Sequence, residues 1–253
     1  MTYILGSVCT DGIVLVADRK VMLEGGAIHE YEDKLFMCAP WMVIGSSGVL
    51  GLFEKFRDRL TGYLGSSEYH DNANVYNLTK EIEKLTREQN DDYSEVLRGR
   101  VFDVLLGMQS TTEANLKYVY ASGFAEGVRR YKVIGHGEPY GSFFLKYWWR
   151  KNMTMLEVAE LGFFIIKWIE EFELDNTVGI GKGYPQVLLI PNPESTEEDI
   201  GGGTVVLPSI RSLSSSELSD LKAKVVRRLE KFKKQTLSWE IEDFLKRGKE
   251  EKE

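Results

Sequence analysis

The chain has 253 residues, 43% of them hydrophobic, and a net charge of −7 from 32 basic and 39 acidic residues. That length allows one large domain or two small ones with a sizeable core, and the acidic balance argues against a general nucleic-acid coat. There is no run of about 18 apolar residues, so no membrane span is predicted, and the N-terminus lacks the basic-then-apolar layout of a signal peptide. A cytoplasmic protein with neither nucleic acid nor membrane as partner is expected. Cys9 and Cys38 lie in apolar runs and read as reduced core thiols. His29, His70 and His136 show no metal-ligand spacing, so neither metal nor cofactor is expected.

The first twenty residues read as a β-hairpin. Tyr3 to Cys9 is rich in apolar residues, Asp11-Gly12 is a strong turn pair, and Ile13 to Ala17 is a continuous apolar run suited to a strand buried on both faces. The hairpin plants the chain's start in a sheet, with Thr2 at its edge. Removal of Met1 would leave Thr2 with a free α-amine. An α-amine has a pKa of about 7.7–8.0 and can act as a base beside the Thr hydroxyl near neutral pH.

Val21 to Asp33 reads as a polar connector, followed by short strands at Lys34–Cys38 and Trp41–Ile44. Gly45-Ser46-Ser47-Gly48 reads as a tight turn opening a helix with apolar positions Leu52, Phe53, Phe56, Leu60, Tyr63 and Leu64. A second helix carries Val75, Leu78, Ile82 and Leu85, and its charged far end from Glu88 to Arg100 reads as loop. Val101–Met108 is a strand, and Leu116–Ala121 and Gly127–Ile134 follow at hairpin spacing. Gly135-His136-Gly137-Glu138-Pro139 breaks the last of these, and Pro139 suits the first turn of a helix to about Lys151. Thr154-Met155-Leu156-Glu157 is a capping-box pattern starting a mostly apolar helix to about Phe172. Gly179 to Gly183 lacks the spacing of a phosphate loop and reads as a turn. Gln186–Pro191 and Thr204–Leu207 are the last strands.

Strands and helices thus come in segregated blocks, which suggests α+β with two antiparallel sheets face to face and helices on both outer faces, a four-layer αββα sandwich. The tail differs in composition. Ser214 to Glu217 is a second capping box, Leu218, Leu221, Val225, Leu229 and Phe232 form a stripe at helical spacing, and seven Lys or Arg occupy the other faces between residues 222 and 234. The expected division is a domain over 2–208 and a helical extension over 209–253.

Four features line up with Thr2. Asp18 closes a buried apolar run, as either a cap or a buried, paired acid. Lys34 begins the next strand, where a Lys taken in isolation reads as surface decoration. Gly48 precedes a helix, where free backbone N–H groups can stabilise an oxyanion. Asp175 lies just after the long helix.

In this order the first fifty residues resemble a proteasome β subunit, or the closely related peptidase of the bacterial ATP-dependent two-component protease, within the N-terminal nucleophile (Ntn) hydrolases. That family begins with a mature Thr, then has a Gly-x-Val-x-x-Asp-Gly-like hairpin, an Ala-Asp before basic residues, a Lys-Leu/Ile-Phe/Tyr strand and an Ala-Gly turn entering a helix. Here these are Thr2, Gly6 to Gly12, Ala17-Asp18-Arg19, Lys34-Leu35-Phe36 and Ser47-Gly48. The resemblance is specific over the first quarter and topological to about Leu207. It implies Thr2 as nucleophile and its amine as base, with Met1 alone masking it. Lys34 would be the cation favouring deprotonated Thr2, Asp18 its anchor and the Gly48 amide an oxyanion donor. Asp175 would match the family's later Asp, and Lys20, Met22, Ser46 and Val49 would line the substrate pocket.

Two positions depart from that pattern. The family usually has Gly-Ser-Gly where this chain has Gly135-His136-Gly137, and a Ser three residues after the later Asp, where this chain has Val178. Three readings follow: His136 replaces the Ser as a polar contact to the amine, the site serves another amide reaction, or the site is inactive. The implied activity is threonine-type hydrolysis of a peptide or unfolded protein, in a ring of like subunits. The alternatives are a non-catalytic ring or scaffold subunit and an amide-transferring relative.

Overall fold

The computed structural model describes residues 2–22, 28–66, 75–97, 102–110, 112–172, 174, 178–181, 183–195, 205–206 and 208–250. Two compact units divide it, Met1–Leu213 and Ser214–Glu253.

The first unit is built on two five-stranded antiparallel sheets. One contains β1 (Ile4–Cys9), β2 (Gly12–Ala17), β10 (Tyr131–Ile134), β11 (Gln186–Pro191) and β14 (Arg211–Ser212), in the order β10-β1-β2-β11-β14. The other contains β5 (Leu35–Ala39), β6 (Met42–Ser47), β7 (Asp103–Gln109), β8 (Ala114–Val119) and β9 (Ala125–Gly127), in chain order. Between the sheets lie Ile4, Ile13 and Leu15 from one side and Leu35, Val43, Leu105 and Leu116 from the other. α4 (Glu138–Trp148) and α5 (Met155–Glu171) pack on the outer face of the first sheet, and α1 (Leu50–Ser66) and α2 (Val75–Asp92) on that of the second. The αββα sandwich expected from the sequence is the observed fold.

The hairpin β1–β2 forms as its residues dictate. Gly12 takes φ +147°, and a Cβ there would overlap the Ile190 carbonyl oxygen. The Asp11 carboxylate accepts the amide of Met155 at 2.8 Å, tying the turn to the start of α5. That helix carries the predicted capping box: Thr154 Oγ1 accepts from Glu157 N at 3.3 Å, and Glu157 Oε2 from Thr154 N at 2.8 Å.

Several expectations are corrected. The connector after Ala17 contains a short hairpin, β3 (Lys20–Met22) with β4 (Ile28–Tyr31), whose strands are too short to show a period. Gly45, Ser46 and Ser47 belong to β6, not to a turn; Gly45 is there for close approach, since a Cβ would sit 2.8 Å from Leu35 Cδ2 and 3.1 Å from Ile4 Cδ1. The charged stretch after Glu88 is helical to Asp92 and again in α3 (Ser94–Leu97), because its polar side chains are satisfied by packed backbone. Gln89 Nε2 donates to Leu52 O at 2.9 Å, and Asn90 exchanges two 2.8 Å bonds with the backbone of Phe102. The hairpin partner of β8 is β9; β10 leaves for the other sheet, pairing Ile134 with Ile4. Among the described residues the strand at 205–206 pairs only with β12 (Glu194–Ser195), as β13 (Val205–Val206).

The second unit is α6 (Ser215–Glu250), capped as its sequence predicts: Glu217 N donates to Ser214 Oγ at 3.3 Å, and Ser214 N to Glu217 Oε2 at 2.8 Å.

Candidate active site

Antiparallel pairing gathers the candidate residues at one edge of the sandwich. Ile4 pairs with Ala17 and with Ile134, so Thr2, Asp18 and the 135–137 turn are neighbours. Leu35 pairs with Gly45, so one step further Lys34 lies beside Ser46, with Gly48 just beyond. Gln186 pairs with Ala17 and opens β11 at the same edge.

Asp18 is completely buried, and Lys34 and Thr2 are each 6% exposed. Lys34 is therefore a partner of the acid and not surface decoration. Its Nζ donates to Asp18 Oδ1 at 2.7 Å and to the Lys20 carbonyl oxygen at 2.7 Å. Asp18 Oδ1 also accepts the Tyr3 amide at 2.8 Å, and Oδ2 accepts the Gly179 amide at 3.3 Å. One carboxylate oxygen thus joins the Lys34 ammonium to the peptide bond that follows Thr2. Burial pushes the Asp18 carboxyl above its ordinary range, opposed by the adjacent Lys34 charge and by these hydrogen bonds.

Thr2 is held from the other side by the glycines around His136. Gly135 takes φ +92°, and a Cβ there would overlap the Thr2 carbonyl oxygen; the Gly137 amide donates to that same oxygen at 3.3 Å. Gly137 and Gly141 let the Tyr3 ring pack beneath α4, where a Cβ would approach it to 2.7 and 2.6 Å. His136 itself is exposed.

Of the other candidates, Lys20 contributes backbone: its carbonyl receives Lys34, and its amide, like that of Arg19, donates to Gly179 O at 3.1 Å. Ser46 is buried beside Lys34. Gly48 takes φ +127° between β6 and α1. Val49 packs against the apolar cluster beneath α1. Met22 lies in β3, and its side chain is outside the described residues, as is Asp175. Val178 is fully buried.

Three participants were missed in the sequence. Gly179 embraces Asp18 and the corner after β2 through its amide and carbonyl. Glu170 on α5 holds that segment, its Oε1 accepting Ile180 N at 3.0 Å and Gly181 N at 2.7 Å while Lys167 pairs with Oε2 at 2.7 Å. Gln186 bonds the backbone of Lys34 and Leu35. Nothing local marks Gly179 and Gln186, whose partners are distant in the chain, and Glu170 acts on a segment beyond the end of its own helix. Burial pushes the Cys9 and Cys38 thiols up to about 12, which makes both poor nucleophiles at neutral pH. Among the described residues no group of three or more His, Cys, Asp or Glu could hold a metal ion, and no helix is long and apolar enough to cross a membrane.

A solved structure of an Anbu (Gly-1) mutant from Hyphomicrobium sp. strain MC1 superposes with a TM-score of 0.65 at 18% identity, over 91% of this chain and 97% of that one, which establishes a shared fold. No curated protein matches the chain. The family profile described as Proteasome subunit matches residues 2–177, with the Thr2, Asp18 and Lys34 constellation inside its span. The fold is thus of the proteasome-related Ntn-hydrolase kind, and the chain belongs to the proteasome-subunit family.

Proposed function

We propose that this proteasome-family chain is a β-type threonine hydrolase, acting on peptide bonds through Thr2 once Met1 is removed. The observation that carries this reading is the oxygen Asp18 Oδ1, which holds the Lys34 ammonium at 2.7 Å and the Tyr3 amide at 2.8 Å. A buried cation so placed favours the neutral Thr2 amine and the developing alkoxide. Thr2 Oγ1 attacks the substrate carbonyl while its proton passes to the amine, directly or through water. The C–N bond then breaks as that proton moves to the leaving amine, leaving an acyl ester that water hydrolyses. The Gly48 amide is the proposed oxyanion donor, and Asp175 is assigned the role of the family's later Asp. Lys20, Met22, Ser46 and Val49 are proposed to shape the pocket, with His136 at its rim. We further propose that 2–208 is the hydrolase domain and 209–253 a helical extension, and that copies of the chain form a ring in the cytoplasm.

Fold and family support a coarser reading more directly than they support cleavage: a proteasome-like subunit with its chemistry open. A non-catalytic ring or scaffold subunit is therefore the second reading. It is favoured by the fully buried hydrocarbon of Val178, where the resemblance calls for a Ser in the nucleophile's hydrogen-bond network. Amide transfer shares the acyl ester and differs only in the amine that accepts it.

The test is turnover of small peptide amides by chain verified by mass to begin at Thr2. Turnover abolished by Thr2→Ala supports the hydrolase; turnover that survives the change places the chemistry elsewhere. A clean N-terminus with no turnover and a large assembly on size-exclusion chromatography supports the scaffold. Ligated product on adding a second peptide amine identifies transfer.

A further inference from the structure

Gln186 crosses the sandwich. It opens β11 in the first sheet, is 9% exposed, and reaches the first residues of β5 in the second. Its Oε1 accepts the Lys34 amide at 2.8 Å and the Leu35 amide at 2.7 Å, and its Nε2 donates to the Leu35 carbonyl at 2.6 Å. Among the described residues β5 is an edge strand paired only with β6, so there the Leu35 groups turned away from β6 have no strand partner. The one side-chain amide supplies both the donor and the acceptor they need.

We propose that Gln186 is a positioning residue for Lys34, clamping the backbone from which that side chain starts so that its ammonium reaches Asp18 Oδ1 and the Lys20 carbonyl. The inference deepens the Thr2 hydrolase reading and rests on it for its catalytic meaning. A lysine side chain has four rotatable bonds, and burial alone does not choose where its charge ends. The clamp fixes the near end, and Asp18 with the Lys20 carbonyl fixes the far end. The sandwich contains its own control. Gln109, 1% exposed at the opposite end of β7, makes the same kind of bridge, to Pro191 O at 2.8 Å and Pro208 O at 2.9 Å, remote from Thr2.

The test compares Gln186→Met with Gln109→Met in chain that begins at Thr2. The first readout needs no turnover: the pH dependence of Thr2 α-amine acylation by limiting acetic anhydride, read as the mass of the N-terminal peptide. The titratable and charged groups carried by the elements at this edge are Lys34 just before β5, Asp18 after β2, the Arg19–Asp33 pair at 2.5 Å, Asp103 at the start of β7 with the Lys132–Glu138 pair at 3.5 Å joining β10 to α4, and His136. Displacing the Lys34 ammonium removes a like charge, so in Gln186→Met the amine pKa is expected to rise by about one unit. On a peptide amide, kcat is expected to fall on the order of 10²-fold with KM little changed. Gln109→Met is expected to lower stability and move neither. If Gln186→Met does not fold, Gln186→Asn keeps the amide but falls one methylene short, and should shift the amine in the same direction. An amine pKa unchanged in the Gln186 variant, or moved equally by Gln109→Met, overturns the proposal. A shifted amine in a chain without turnover sinks the hydrolase reading and leaves the clamp; turnover with an unshifted amine does the reverse.

Discussion

Asp18 gathers the amides of Tyr3 and Gly179 and the ammonium of Lys34 on one buried carboxylate. Removing one member of a buried pair leaves the other charge without compensation, which costs about 3–5 kcal/mol. Lys34→Met is therefore expected to be destabilised by that order in urea unfolding and to lose turnover. Lys34→Met combined with Asp18→Asn should recover much of the stability and none of the activity. Gly135 makes a sharper test, because its left-handed backbone and its contact with the Thr2 carbonyl both forbid a side chain. Gly135→Ala is expected to lower kcat on the order of 10²-fold by displacing Thr2. Gly123→Ala meets comparable strain, with φ +75° and a Cβ 2.5 Å from Glu83 O, but lies away from the site and should leave kcat unchanged. At this scale Thr2, Asp18 and Lys34 were legible because their types and order are distinctive within the first strands. Gln186 was not, since it acts 152 residues from Lys34 along the chain.

Elements with a long period or a strong cap were read nearly to the residue. α5 is the clearest case, with its Thr154 box, and Thr154→Ala is expected to cost about 1 kcal/mol in thermal or urea unfolding. The Thr154 amide, and then its hydroxyl, hold the Glu157 carboxyl below its ordinary range. A carboxyl depressed in the folded state contributes stability above its unfolded pKa and loses it as pH falls through the lower, folded value. The excess stability of the parent over Glu157→Gln should therefore shrink across that acid window, as followed by unfolding at a series of pH values. Misread elements share a physical cause, in that tertiary partners overrode local chemistry. Gly45 to Ser47 look like a turn, yet neighbours on both sides make them strand, and Gln89 and Asn90 look like loop, yet their amides satisfy the backbone of Leu52 and Phe102. β10 changes sheets because Val8 N and the Ser7 hydroxyl both take the Arg130 carbonyl as partner, starting a register that ends at Ile4 and Ile134.

At the scale of the whole molecule, the sandwich brings the strand ends near Thr2, Asp18, Lys34, Ser46 and Gly135 to one edge, and the order of blocks in the sequence was enough to anticipate its layers. Assembly is the property this scale tests. A ring of copies predicts a multi-subunit species by analytical ultracentrifugation at micromolar concentration, and a monomer there would contradict it. Whether the edge is a working site turns on the hydroxyl of residue 2. The most direct measurement takes chain freed of Met1, incubates it with a peptide ester, and weighs the N-terminal tryptic peptide ending at Arg19. The expected result is a gain equal to the acyl group, located on Thr2, absent in Thr2→Ala and strongly reduced in Lys34→Met. An unmodified peptide from folded chain, or the same gain in Thr2→Ala, would contradict the nucleophile assigned here.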